Sequence, residues 1–313
     1  MEPKWFAAVL SGAALVAGCR AGPDVGSAIP ASSIETRQVA GLGFAHQLLV
    51  AGAVRADDPQ YVFLEGDGRP WSPDGRHPAT DPDPVRAIAP ELAAVQGGGA
   101  LVLGRPCYHG RAEDPGCGPA LWTDGRYSEP VVASMVAALD RVLETPRSRP
   151  VVLVGYSGGG ALALLIANRV PAVRAVVTLA SNLDVDAWAS LHGYQPLARS
   201  LDPLVTRSVR PGCEIHIAAE RDTVVPPSLI RSAAEQRPGA LVWIEGGADH
   251  ACCWGSRWPA IAARVSAQLE SAGCLARGCA AQPRTGRRVN SGRGSGPRAV
   301  RAARAPGDPR AAK

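Results

Sequence analysis

Around Ser157 the chain reads Val151-Val152-Leu153-Val154-Gly155-Tyr156-Ser157-Gly158-Gly159-Gly160-Ala161-Leu162. This contains G-x-S-x-G at Gly155, Ser157 and Gly159, with four aliphatic residues before Gly155 and an apolar helical pattern behind. A serine on a sharp strand-to-helix turn is exposed as a nucleophile, and glycines beside it let the turn close and the helix pack against the strand. The chemistry open to such a hydroxyl is attack on an acyl carbon. A Gly-rich phosphate cradle is the competing reading, but no Lys follows and G-x-G-x-x-G is absent.

A nucleophilic serine needs a base, and on a strand–turn–helix elbow the chain order is serine, acid, histidine. Of the six histidines, His46, His77 and His109 precede Ser157 and fall out of that order. His192 lies in an irregular stretch, and His216 falls inside a predicted strand, where a core or edge role is expected. His250 ends the run Glu245-Gly246-Gly247-Ala248-Asp249-His250, a Gly-rich loop at a strand's C-terminal end, which suits a mobile imidazole. Asp222 follows strand Cys213–Ala219 and is the favoured acid; Glu220 and Asp184 compete for the role. Asp249 adjoins His250 and is too close in the chain to reach round to it.

These residues need a scaffold that presents strand ends on one side. Short apolar runs are predicted as strands at Phe44–Ala51, Tyr61–Glu65, Ala100–Gly104, Val151–Gly155, Arg174–Ala180, Cys213–Ala219 and Ala240–Glu245. Helices are predicted at Val85–Val95, Glu129–Glu144, Gly158–Arg169, Pro227–Arg237 and Pro259–Ser271. Such alternation predicts an α/β fold, a mostly parallel sheet with helices on both faces. Residues 181–212 are too long and irregular for a simple turn, and a small cap is expected there.

At 313 residues and 46% hydrophobic, the chain can bury a core, which excludes whole-chain disorder and collagen-like repeats. No run of eighteen apolar residues occurs, which argues against a multi-span membrane protein. Residues 281–313 hold eight Arg and one Lys against one Asp, a net +8, so residues 1–280 carry −3 of the total +5. A mildly acidic body does not suggest nucleic-acid binding. The tail is Arg/Gly/Pro-rich and is expected to be disordered.

The N-terminus has Lys4 and then an apolar stretch of signal-peptide length from Trp5 to Ala17. Leu15-Val16-Ala17-Gly18-Cys19 resembles the bacterial lipobox, so residues 1–18 are expected to be a lipoprotein-type signal and Cys19 the lipidated residue. A secretory signal with an incidental cysteine is the alternative. Residues 19–37 are expected to be a linker, 38–272 the folded domain, and 273–313 a tail. Export to the bacterial cell envelope implies an oxidising compartment. Cys107 and Cys117 bracket a Pro/Gly-rich loop and are expected to be bridged; Cys274 and Cys279 could close another loop. Cys213, Cys252 and Cys253 cannot be paired from sequence. A metal site at His250–Cys253 is a poor fit to tetrahedral zinc, and no metal is expected.

Across residues 38–272 the chain resembles the α/β-hydrolases. It is also similar to a group of poorly characterised bacterial exported hydrolases. The shared segments here are Leu64-Glu65-Gly66-Asp67-Gly68 with Trp71, Gly104-Arg105-Pro106-Cys107, Arg126-Tyr127-Ser128, and His250 with Cys252-Cys253-Trp254. The resemblance implies an oxyanion hole. One donor would be the Gly158 N–H; the other would come from the loop after Tyr61–Glu65, where many α/β-hydrolases carry His-Gly and this chain has Glu65-Gly66. The second donor is therefore placed at the Asp67 N–H. Trp71, Trp122, Trp188 and Trp254 could wall an apolar pocket. The expectation is a monomeric, lipid-anchored serine hydrolase acting on a small ester or related acyl substrate, without cofactor. An acyltransferase or amidase with the same triad, and a non-catalytic surface binding protein, are the alternatives.

Overall fold

Neighbouring residues along each central strand face opposite sides, and both sides are apolar. Val62 and Leu64 join one core while Tyr61 and Phe63 join the other; Val151 and Leu153 alternate with Val152 and Val154 in the same way. A strand apolar on both faces belongs between two layers of helices. The computed structural model describes residues 34–53, 58–143, 149–206 and 212–276. Cys19, the expected signal segment, Cys279 and the Arg-rich tail lie outside them.

The strands are β1 (Ile34–Ala40), β2 (Ala45–Ala51), β3 (Gln60–Leu64), β4 (Ala100–Leu103), β5 (Val151–Tyr156), β6 (Val173–Leu179), β7 (Glu214–Ala219) and β8 (Leu241–Glu245). The helices are α1 (Ile88–Gln96), α2 (Glu129–Val142), α3 (Gly158–Ala167), α4 (Val185–Leu191), α5 (Pro227–Glu235) and α6 (Trp254–Ser271). One eight-stranded sheet runs β1-β2-β4-β3-β5-β6-β7-β8. β2 is antiparallel to both β1 and β4, and the pairs from β4 to β8 are parallel. Helices α2, α3 and α5 cover one face, α1 and α6 the other. The parallel strands therefore end together, with Leu64 opposite Gly155, Tyr156 opposite Leu179, and Ala219 opposite Glu245.

Four expectations are corrected. Strand β1 begins at Ile34, inside the segment expected as a linker; its IETRQVA pattern is largely exposed, with Ile34 and Val39 partly buried against the two cores at its ends. Helix α6 begins at Trp254, five residues before Pro259. Trp254 and Trp258 are fully buried and anchor that first turn, which outweighs the one N–H bond Pro259 cannot make. Helix α4 falls inside the stretch expected to be irregular, with Asp184 as its N-cap accepting from the Ala187 N–H. Cys274 is bonded to Cys213, 61 residues away, and not to Cys279, because the end of α6 lies beside the start of β7. Cys107 is joined to Cys117, and Cys252 to Cys253.

Candidate active site

Ser157 stands between β5 and α3 with φ of +49°, a left-handed backbone that a non-glycine residue adopts only when its surroundings hold it there. Two contacts do so. The Ser157 N–H donates to the Leu179 carbonyl at 2.9 Å, and Gly155 and Gly159 touch so closely that a Cβ on Gly155 would collide with the Gly159 carbonyl. The turn lifts the hydroxyl off the sheet.

His250 and Asp222 arrive from the ends of β8 and β7. The Asp222 carboxylate is fully buried; Oδ1 accepts from the N–H groups of Val224 and Val225, both at 2.8 Å. Its Oδ2 lies 2.8 Å from His250 Nδ1, and His250 Nε2 lies 3.1 Å from Ser157 Oγ. The tautomer satisfying both contacts carries its proton on Nδ1, leaving Nε2 to accept from the serine hydroxyl. The His250 side chain is 19% exposed, so one edge of the imidazole reaches solvent. Its carbonyl accepts from Trp254 Nε1 at 2.8 Å and Tyr156 Oη at 3.0 Å, which fixes the loop that carries it.

The competing acids are occupied elsewhere. Glu220 accepts from the Gly247 N–H, Asp184 caps α4, and Asp249 accepts from the N–H groups of Ala251 and Cys252. His192 caps the end of α4, and His216 is fully buried within β7. With Cys252 and Cys253 bonded to each other, neither is a thiolate ligand beside His250.

The residues following β3 hold a cluster whose partners the sequence did not reveal. Asp67 Oδ1 accepts from Arg105 Nη1 at 2.6 Å; Oδ2 accepts from Arg126 Nη1 at 2.9 Å and Tyr127 Oη at 2.7 Å. Burial alone would raise the Asp67 pKa, but the two guanidiniums and the Tyr127 bond hold it down at about 2. Burial pushes the neighbouring Tyr108 phenol up to about 12. The one sequence signal for this cluster was that Asp67, Arg105, Arg126 and Tyr127 all lie in the segments shared with the bacterial hydrolases. Glu65, just before it, is buried and accepts from the N–H groups of Gly66 and Ala89, both at 2.8 Å.

Neither a protein-family model nor a curated protein matches this sequence. Solved structures do. An esterase/lipase from an uncultured bacterium is 15% identical, with a TM-score of 0.51 over 77% of this chain and 86% of that one. The alpha/beta hydrolase GrgF from Penicillium sp. sh18 is 14% identical, with a TM-score of 0.50 over 76% and 98%. A puromycin hydrolase is 16% identical with a TM-score of 0.51 over 77% of this chain, which spans 39% of that protein's length.

The chain has the α/β-hydrolase fold.

In this α/β-hydrolase fold the stretch after β6 carries α4 and a half-exposed aromatic group. Trp188 lies 5.3 Å from Tyr194, and His192 stacks on Tyr194 at 5.2 Å. Trp188 Nε1 and His192 Nε2 both meet the Val224 carbonyl, so the group rests on the loop that carries Asp222. The four tryptophans divide. Trp122 and Trp254 are buried, the first against Cys107 and Tyr108 and the second under His250; Trp71 and Trp188 keep exposed surface.

Proposed function

We propose that this protein is a serine hydrolase cleaving a carboxylic ester or related acyl bond through an acyl-enzyme. What carries the reading is the hydrogen-bonded chain Ser157–His250–Asp222, set at the ends of three parallel strands with the serine on a strained turn. Ser157 Oγ attacks the acyl carbon while its proton passes to His250 Nε2. Asp222 holds the imidazole in the right tautomer and stabilises the imidazolium. The tetrahedral oxyanion is met by the Gly158 N–H, one of the first helical donors with no intrahelical acceptor, and by the Asp67 N–H. His250 returns the proton to the leaving oxygen, and water then repeats the sequence on the acyl-enzyme. Neighbours named as an esterase/lipase and an alpha/beta hydrolase agree with this class.

Treatment with a fluorophosphonate probe should label the protein at Ser157, and Ser157→Ala should lose both labelling and turnover of p-nitrophenyl esters, by at least about 10³-fold. An unlabelled wild-type protein would leave a binding role on this fold. A panel of esters of increasing chain length reads the acyl preference.

We also propose that the chain is exported and anchored through lipid on Cys19. Disulfides at Cys107–Cys117 and Cys213–Cys274 support an oxidising compartment. Metabolic labelling with a fatty-acid analogue should mark the wild type and not Cys19→Ala; equal labelling of both would exclude this anchor.

A further inference from the structure

In the turn after β3, the Gly66–Asp67 pair has nearly all its polar groups committed. The Gly66 N–H donates to Glu65 Oε1 at 2.8 Å, the Gly66 carbonyl accepts from Arg105 Nη1 at 3.2 Å, and the Asp67 carbonyl accepts from Tyr108 Oη at 2.9 Å. The Asp67 carboxylate takes three more donors. Among the described residues, the Asp67 N–H is the one main-chain polar group of this pair without a partner. An open N–H on an otherwise committed pair of residues stands ready for an incoming acceptor.

The Gly66 carbonyl and the Asp67 N–H belong to one peptide group. A trans peptide is planar, and its N–H points opposite to its C=O. Whatever holds the carbonyl therefore aims the N–H. Arg105 does the holding: its side chain is 1% exposed, and Nη1 is shared between the Gly66 carbonyl and Asp67 Oδ1. Nη2 donates to the Arg126 carbonyl at 2.8 Å, and the guanidinium lies 4.9 Å from the Tyr108 ring centre. The glycine that begins the held peptide is also packed beside the nucleophile. A Cβ on Gly66 would stand 3.2 Å from the Ser157 Cβ, and Asp67 Oδ1 lies so close to Gly158 that no Cβ fits there.

We propose that Arg105 is a positioning residue that fixes the second oxyanion donor, gripping the Gly66 carbonyl and the Asp67 carboxylate so that the Asp67 N–H stays aimed at the developing charge. Tyr108 is the second clamp, on the next carbonyl. This rests on the reading of Ser157 as nucleophile. Arg105 touches no reacting atom; it acts through the peptide.

The test compares Arg105→Gln, Arg105→Lys and Tyr108→Phe, measuring kcat, KM, melting temperature and inhibition by an alkyl boronic acid, which forms a tetrahedral anion on the serine. Arg105→Gln should lower kcat by about 10²- to 10³-fold, the loss typical of one oxyanion donor, with KM within about threefold. Its boronate inhibition constant should rise by a similar factor, because the boronate anion uses the same donor. Arg105→Lys should recover at least about tenfold of the loss, keeping the charge but not the planar fork. Tyr108→Phe keeps the ring against Arg105 and loses only the hydroxyl bond, so kcat and boronate affinity should each fall about 3- to 10-fold.

A folded Arg105→Gln with kcat and boronate affinity within threefold of wild type overturns the proposal, as does a kcat loss that leaves boronate affinity untouched. Where Arg105→Gln does not fold, Tyr108→Phe decides: unchanged values overturn it. Wild type that neither turns over esters nor reacts with the boronate refutes the hydrolase reading and this one together. An active wild type with an indifferent folded Arg105→Gln, or with an indifferent Tyr108→Phe where Arg105→Gln does not fold, refutes this one alone.

Discussion

Among the described residues two hydroxyl–imidazole–carboxylate chains stand out, and they sit on adjoining strands. In one, Ser157 Oγ, His250 and Asp222 are linked at 3.1 and 2.8 Å. In the other, Thr178 Oγ1 lies 2.9 Å from His216 Nδ1, and His216 Nε2 lies 2.9 Å from Glu214 Oε1. The inventories match; the settings do not. Thr178 and His216 are cross-strand partners in β6 and β7, and Glu214 shares a face with His216 two residues along. All three are fully buried, and Arg237 donates to both oxygens of Glu214. The Ser157 chain is built from strand ends and loops, with a left-handed serine and an imidazole edge open to solvent. A proton relay needs a substrate to relay to. Exposure and backbone position, rather than residue types, separate a candidate site from a structural network.

The widest separation should come from the two histidines. His250→Gln should lower ester turnover by at least about 10³-fold and leave the melting temperature nearly unchanged. His216→Gln should leave kcat per folded molecule intact while lowering stability. If His216→Gln abolished turnover in a folded protein, the contrast between the networks would collapse.

Next come the carboxylates. Asp222→Asn should cost about 10³- to 10⁴-fold in kcat by favouring the wrong tautomer. Glu214→Ala leaves Arg237 buried without its carboxylate, for a loss of about 3–5 kcal/mol in urea unfolding with kcat unaltered. A loss under about 1 kcal/mol would mean that water or a neighbour takes the carboxylate's place.

Acid should expose the same difference. Burial would raise the Glu214 pKa, but hydrogen bonds from His216 and Arg237 hold it at about 2, below its ordinary 4.5. A depressed carboxylate contributes stability that is fully present above pH about 4.5 and is lost as pH falls towards 2. Glu214→Gln should therefore flatten the acid limb of the stability–pH curve. An unchanged limb would place acid sensitivity elsewhere, Asp67 first.

The smallest effect is expected for Thr178→Val, which removes one buried hydrogen bond, about 1 kcal/mol, without touching activity. A measurable drop in kcat would tie the two networks together.

The candidate Ser157, His250 and Asp222 were readable because each lies where the hydropathy pattern breaks at a strand end, and G-x-S-x-G orders them along the chain. For His216 the strand position left a core and an edge role both open, and its full burial is a finding of the structure. Arg105 and Arg126 were not readable: they meet Asp67 across 38 and 59 residues, and nothing local marks a guanidinium as buried. Cys213 and Cys274 were out of reach for the same reason.

By itself, the sequence determined the layered α/β architecture, since both-face apolar strands alternating with helices have few other ways to bury their surface. It also determined the elbow, because three consecutive glycines behind a serine allow a turn that other residues would block. Tertiary structure alone decided which carboxylate meets which cation. The sequence favoured Asp222 over Glu220 and Asp184, but all three carboxylates accept backbone N–H groups, and only packing set an oxygen of Asp222 against the imidazole of His250. Hydrogen bonds reach about 3 Å, and chain separation of tens of residues carries no information at that scale until the sheet has set its register.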